Sequence, residues 1–153
     1  MAGLLAAAVQ QGRDPVAVRS EVLAAASALE GHADNVAASL FGGVVAVAGG
    51  RACRIPVPRM PTVVLWVPDR ETSTRGSRST LPEVVPFADA VHNLARAALL
   101  VAALAAGDLG ALREATADRL HQDLRLARSP GTRAAIEAAL TAGALAAWLS
   151  GSG

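Results

Sequence analysis

Apolar and polar positions along this chain switch between a helical and an extended period. The first eleven residues are dense in helix formers with no capping residue ahead of Met1, which predicts a helix entered partway along. Asp14-Pro15 then supplies an N-cap followed by proline at the first helical position. Val16, Val18, Val22, Leu23, Ala26 and Leu29 recur at helical spacing up to a stop at Gly31. Asp34 can cap a short helix through Leu40, and Gly42-Gly43 breaks it before Val44-Val45-Ala46-Val47, a β-branched run that predicts a strand. Residues 54–57 and 62–67 are two further strand candidates, with Pro56, Pro58 and Pro61 forcing extended or turn geometry between them. Three strands in succession suggest an antiparallel arrangement.

Residues 69–81 are polar and rich in Ser, Thr and Arg, and residues 82–107 contain a long Ala/Leu/Val helix carrying His92, Asn93 and Arg96. A further helix is predicted over 112–120. Ser129-Pro130-Gly131 reads as a loop, Thr132 can cap a helix to about Ala142, and residues 145–149 form a last strand candidate leading into Ser150-Gly151-Ser152-Gly153. This mixed order of helices and mostly antiparallel strands predicts an α+β fold rather than a doubly wound sheet.

Composition narrows the function classes. Hydrophobic residues make up 52% of the 153 and charged residues 18%, which excludes disorder by low hydropathy, while 3% aromatics leave Ala, Val and Leu to fill the interior. All fourteen basic residues are Arg and the formal net charge is +1, so no basic field exists to hold nucleic acid or an anionic membrane. Cys53 is the sole cysteine, which rules out an intramolecular disulfide, fits a reducing cytoplasm and reads as a small buried apolar residue. The apolar opening lacks a basic n-region, so no export signal is expected. The run from 97 to 106 is shorter than the ~20 residues of a bilayer span and reads as part of a core helix.

The candidate chemistry gathers in Glu30-Gly31-His32-Ala33-Asp34-Asn35-Val36-Ala37, where three polar side chains sit beside a glycine turn and a helix start. Asn35 can hydrogen-bond an ammonium or hydroxyl, Asp34 can accept a proton or hold a hydroxyl, and the N–H groups of the helix start favour a nearby anion. Read bare, the same residues are equally an N-cap, a turn residue and a loop histidine.

That stretch, followed by Leu40-Phe41-Gly42-Gly43, resembles the homoserine kinase pattern EGHxDNVAxxLxGG. The resemblance continues in order. Val67-Pro68-Asp69, Ser73-Thr74-Arg75-Gly76-Ser77-Arg78 and Leu81-Pro82 are similar to that family's VPD, STxxAR and LP elements, with Ser77 in place of alanine. Asp89-Ala90-Val91-His92-Asn93-Leu94 with Arg96 resembles its DAVxNLxR helix, and Asp118-Arg119-Leu120-His121-Gln122 with Arg125 resembles its DxLHQPYR segment, Asp123-Leu124 replacing Pro-Tyr. Leu149-Ser150-Gly151-Ser152-Gly153 resembles the start of the third motif of the GHMP kinase superfamily, LSGSGPT.

The resemblance implies transfer of the γ-phosphoryl of ATP, with Mg²⁺, to the hydroxyl of L-homoserine on the cytoplasmic route to threonine. It implies that Asp34 and Asn35 hold the hydroxyl and amino group, with Asp34 either taking the hydroxyl proton or only orienting it, and that His32 borders the same pocket. Arg78 and Arg125 match the arginines that bind the substrate carboxylate, a task suited to the planar guanidinium fork. Glu30 matches the magnesium-binding glutamate, and Ser150, Gly151, Ser152 and Gly153 match nucleotide-contacting positions. On this reading residues 1–60 are a remnant of the N-terminal GHMP kinase domain and 61–153 part of the C-terminal one. The glycine-serine loop that wraps ATP phosphates would lie before Met1, together with early strands, and the end of the fold after Gly153, so the 153 residues alone are expected to bind nucleotide poorly. The alternatives are a non-catalytic remnant, or a kinase of the superfamily acting on another small alcohol. The resemblance also leaves room for a homodimer.

Overall fold

The computed structural model describes residues 1–69 and 81–151. They fall into two compact units, Met1–Val57 and Pro58–Gly153.

The first unit holds α1 (Ala2–Gln10), α2 (Arg19–Glu30), α3 (Asp34–Phe41), β1 (Val44–Ala48) and β2 (Arg51–Ile55). Its core uses the inner part of the stripe read from the sequence: Val18, Val22, Leu23 and Ala26 meet Ala8, Val36, Ala37 and Leu40, while Val16 and Leu29 of that stripe lie exposed. These are small side chains, so close approach of the helices rather than bulk supplies the burial. Asp14 caps a turn rather than the helix proper, since its Oδ1 accepts the Val16 N–H at 2.9 Å while α2 starts only at Arg19. Gly31 ends α2 in the left-handed conformation, φ 84°, as the stop signal required.

The strands pair as an antiparallel hairpin running from Val44 opposite Ile55 to Ala48 opposite Arg51. Its second strand therefore starts three residues earlier than the expected 54–57. The cause is Gly49-Gly50, whose φ values of 54° and 76° suit a tight two-residue turn matched to strand twist, so pairing resumes at once. Cys53 sits opposite Ala46 and is exposed, not buried as the sequence suggested. Its strand presents the Ala52 side to the core.

The second unit holds α4 (Phe87–Ala106), a 3₁₀ turn (Leu109–Ala111), α5 (Leu112–Ala115), α6 (Gln122–Leu126) and α7 (Pro130–Thr141). Pro82 and Pro86 delay α4, because a residue before proline avoids the helical region, and Gly107 at φ 72° ends it. With 20 residues and a mean hydropathy of 1.4, α4 is long and apolar enough to cross a membrane by those measures alone. It is a sparser core helix than expected, with Ala103 as its buried residue. Its polar side is engaged: Asn93 Nδ2 donates to Asp118 Oδ1 at 2.7 Å and Arg96 Nη1 to Glu114 Oε1 at 2.7 Å.

Four expectations fail here. The helix read over 112–120 stops at Ala115, where Thr116 Oγ1 turns back onto the Leu112 carbonyl at 2.8 Å and Asp118 captures the next backbone donors. The helix assigned to a Thr132 cap begins at Pro130, with Ser129 at the N-cap position. Residues 62–67 and 145–149 form no strand, and β1 with β2 is the only sheet among the described residues. A β-branched run is strand-forming only beside a partner, and Val63, Val64 and Leu65 lie exposed instead.

Candidate functional site

The first corner is built by the turn between α2 and α3. Gly31 reverses the chain, and Asp34 opens α3 from inside its first turn, one place further in than the N-cap expected of it, where a carboxylate complements the positive end of the helix. Its Oδ1 accepts the Asn35 N–H at 2.7 Å and stands 2.9 Å from His32 Nδ1. The His32 side chain is 24% exposed and that of Asp34 72%, so the imidazole backs the carboxylate while the carboxylate faces outward. Glu30, exposed at the end of α2, edges an open groove of about 550 Å³ otherwise lined by apolar residues such as Leu4, Leu29 and Val36.

The second corner belongs to the other unit. Asp118 is its hub, with a side chain 10% exposed. Its Oδ2 accepts the backbone N–H groups of Leu120, His121 and Gln122 at 3.1, 2.7 and 2.7 Å, and its Oδ1 accepts the Asn93 amide. Asn93 Oδ1 in turn accepts the Arg119 N–H at 2.9 Å. Burial pushes the Asp118 carboxyl up, but the Gln122 and His121 backbone donors, the Asn93 amide and the His121 charge together outweigh it and hold the pKa below the ordinary value. From the helix so capped, Arg125 Nη1 donates to the Gly151 carbonyl, and Gln122 Oε1 accepts the Leu149 N–H at 2.7 Å. Gly151 has φ 59°, and a Cβ built there would meet nothing within 4 Å. A cavity of about 250 Å³ lies behind this corner, lined by Arg113, Thr116, Gln122 and Arg133 but not by Arg125 or Gly151.

Of the residues singled out in the sequence, His32, Asp34 and Asn35 come together, with Glu30 at the neighbouring helix end. Arg125 comes together with Gly151 and Ser150. Arg78, Ser152 and Gly153 lie outside the described residues. The organising roles of Asn93, Asp118 and Gln122 were missed. The available signal was an aspartate two to four places ahead of a short helix, a spacing that offers its carboxylate to successive backbone donors.

Among the described residues no group of three His, Cys, Asp or Glu side chains can hold a metal ion. A single carboxylate such as Glu30 nevertheless suits Mg²⁺, which takes one or two protein carboxylates and fills its octahedron with phosphates and water.

Residues 100–153 match the family described as GHMP kinases C terminal. The chain is 52% identical over 137 residues to a homoserine kinase of Thermus thermophilus, covering 88% of this chain and 47% of that protein. It is 44% identical over 138 residues to the homoserine kinase of Moorella thermoacetica, again covering 88% and 47%. The crystal structure of homoserine kinase from Cytophaga hutchinsonii superposes with a TM-score of 0.69 at 32% identity, covering 80% of this chain and 40% of that one. The chain thus spans about half the length of the curated relatives it matches. By sequence and by its α+β fold the chain is similar to part of the homoserine kinases, and its residues 100–153 match the C-terminal family of the GHMP kinases.

Proposed function

We propose that the protein is an ATP-dependent kinase that phosphorylates the hydroxyl of L-homoserine, a cytoplasmic step toward threonine. The observation that carries this reading is the Glu30 to Asn35 corner, where an imidazole backs an outward-facing carboxylate next to a helix start, in a chain 52% identical to a homoserine kinase.

In this reading residues 1–60 contribute the N-terminal GHMP kinase part and residues 61–153 the C-terminal part. Arg125 and Arg78 grip the amino acid's carboxylate, Asn35 its amino group, and Asp34 its hydroxyl. The hydroxyl oxygen attacks the γ-phosphorus, the new O–P bond forms as the bond to the β-phosphate oxygen breaks, ADP leaves, and the hydroxyl proton passes to Asp34. Phosphoryl transfer asks mainly for alignment and charge neutralisation, which fixed guanidinium groups and backbone N–H groups provide without reorganising. Ser150 and Gly151, with Ser152 and Gly153 beyond them, offer such N–H groups to nucleotide phosphates; the left-handed turn at Gly151 with open space where a side chain would stand supports that role. Mg²⁺, held in part by Glu30, would supply charge neutralisation at the phosphates.

The test is a coupled ADP-release assay on the protein expressed from the longest reading frame containing these residues, comparing L-homoserine with mevalonate and other small alcohols. Release that depends on homoserine supports the reading, and a preference for another alcohol overturns the substrate.

A further inference from the structure

Two side chains on α6 reach the same stretch of backbone. Gln122 Oε1 accepts the Leu149 N–H at 2.7 Å, and Arg125 donates to the Gly151 carbonyl. Ser150 lies between, so three consecutive residues are fastened at both ends from one helix of five residues. These residues belong to no strand, so side-chain bonds must satisfy backbone groups that a sheet would otherwise pair. Leu149 is 5% exposed, which adds an apolar anchor at the same place.

The helix that provides both bonds is itself fixed. Asp118 Oδ2 holds the Gln122 N–H, and Asp118 Oδ1 holds Asn93 of α4. The Gln122 amide is oriented at its other atom as well, with Nε2 reaching the Thr116 carbonyl at 3.4 Å and so turning its oxygen toward Leu149. Bonds bridging 25 and 27 residues of chain therefore run in series from α4 through Asp118 and Gln122 to Leu149.

We infer that Gln122 is the positioning residue of the glycine run: through the Leu149 N–H it sets how residues 149–151 lie against Arg125, and hence how the Ser150 and Gly151 N–H groups meet nucleotide phosphates. Its consequence for nucleotide rests on the kinase reading above, whereas the positioning of the backbone does not. Gln122 touches neither substrate; it acts through Leu149.

The test uses the protein from the longest reading frame containing these residues, with Gln122→Met, which keeps side-chain length and helix propensity but removes the acceptor, and Gln122→Glu, which keeps an acceptor oxygen. In Gln122→Met, amide exchange at Leu149 should quicken and the KM for ATP should rise, each by about fivefold to tenfold as for one net hydrogen bond, with the KM for homoserine within about twofold. Gln122→Glu should restore both. Unchanged exchange at Leu149 in Gln122→Met overturns the inference, and so does a joint rise of both KM values in both variants, which would mean general loosening of α6. If the wild-type protein releases no ADP with homoserine, the kinase reading fails, and exchange at Leu149 still upholds or overturns the positioning.

Discussion

His32 Nδ1 stands 2.9 Å from the same Asp34 oxygen that accepts the Asn35 N–H at 2.7 Å. Both contacts use Oδ1, so a substrate hydroxyl approaching Oδ2 meets an oxygen that neither of them occupies. The Asn35 N–H thus fixes one carboxylate oxygen, with the imidazole beside it, while the side chain as a whole stays exposed.

If Asp34 takes the hydroxyl proton, Asp34→Asn keeps the shape of the corner and removes the base. Turnover with homoserine should fall about a hundredfold or more, the usual worth of general-base catalysis, with little change in KM. Steady-state ADP release reads both, and a fall of only about threefold would assign Asp34 to orienting the hydroxyl.

In the proposed reading Arg125 binds the substrate carboxylate through its planar fork, and one of its N–H groups is committed to the Gly151 carbonyl. Arg125→Lys replaces the fork with a point charge and should weaken homoserine binding by about 1–3 kcal/mol. Titration calorimetry with L-homoserine checks this, and unchanged affinity would remove Arg125 from the pocket.

Asp118→Ala should cost about 2–4 kcal/mol of stability, because it strands three backbone donors and the Asn93 amide in a corner with little access to water. The native state holds the Asp118 pKa below the unfolded value, so its contribution is complete above the ordinary carboxylate range and disappears as pH falls through the lower native value. Urea midpoints measured from neutrality to below about pH 4 should therefore decline more steeply for wild type than for Asp118→Asn.

Gly3 lies inside α1, and a Cβ there meets nothing within 4 Å. Gly3→Ala should stabilise the first unit by up to about 1 kcal/mol through lower unfolded-state entropy, without changing either KM. Thermal melting detects it.

Local signals were the legible ones. Gly31 and Gly107 stopped their helices, and the Val18 to Ala26 part of the apolar stripe became the first core. The Glu30 to Asn35 corner was legible as a motif, although the stacking of His32 behind Asp34 was not. Residues 62–67 misled because β-branching states a preference that only a neighbouring strand can fulfil. Asn93, Asp118 and Gln122 stayed hidden for a different reason. Their bonds close loops of 25 and 27 residues, and no local period records which distant amide a carboxylate will meet.

The most direct test incubates the protein from the longest reading frame with L-homoserine and ATP bearing ¹⁸O on its γ-phosphoryl group, followed by mass spectrometry of the amino acid. The expected product is a phosphorylated homoserine whose labelled oxygens lie in the phosphoryl group, with an unlabelled oxygen joining it to the side chain. Homoserine that stays unmodified would contradict it.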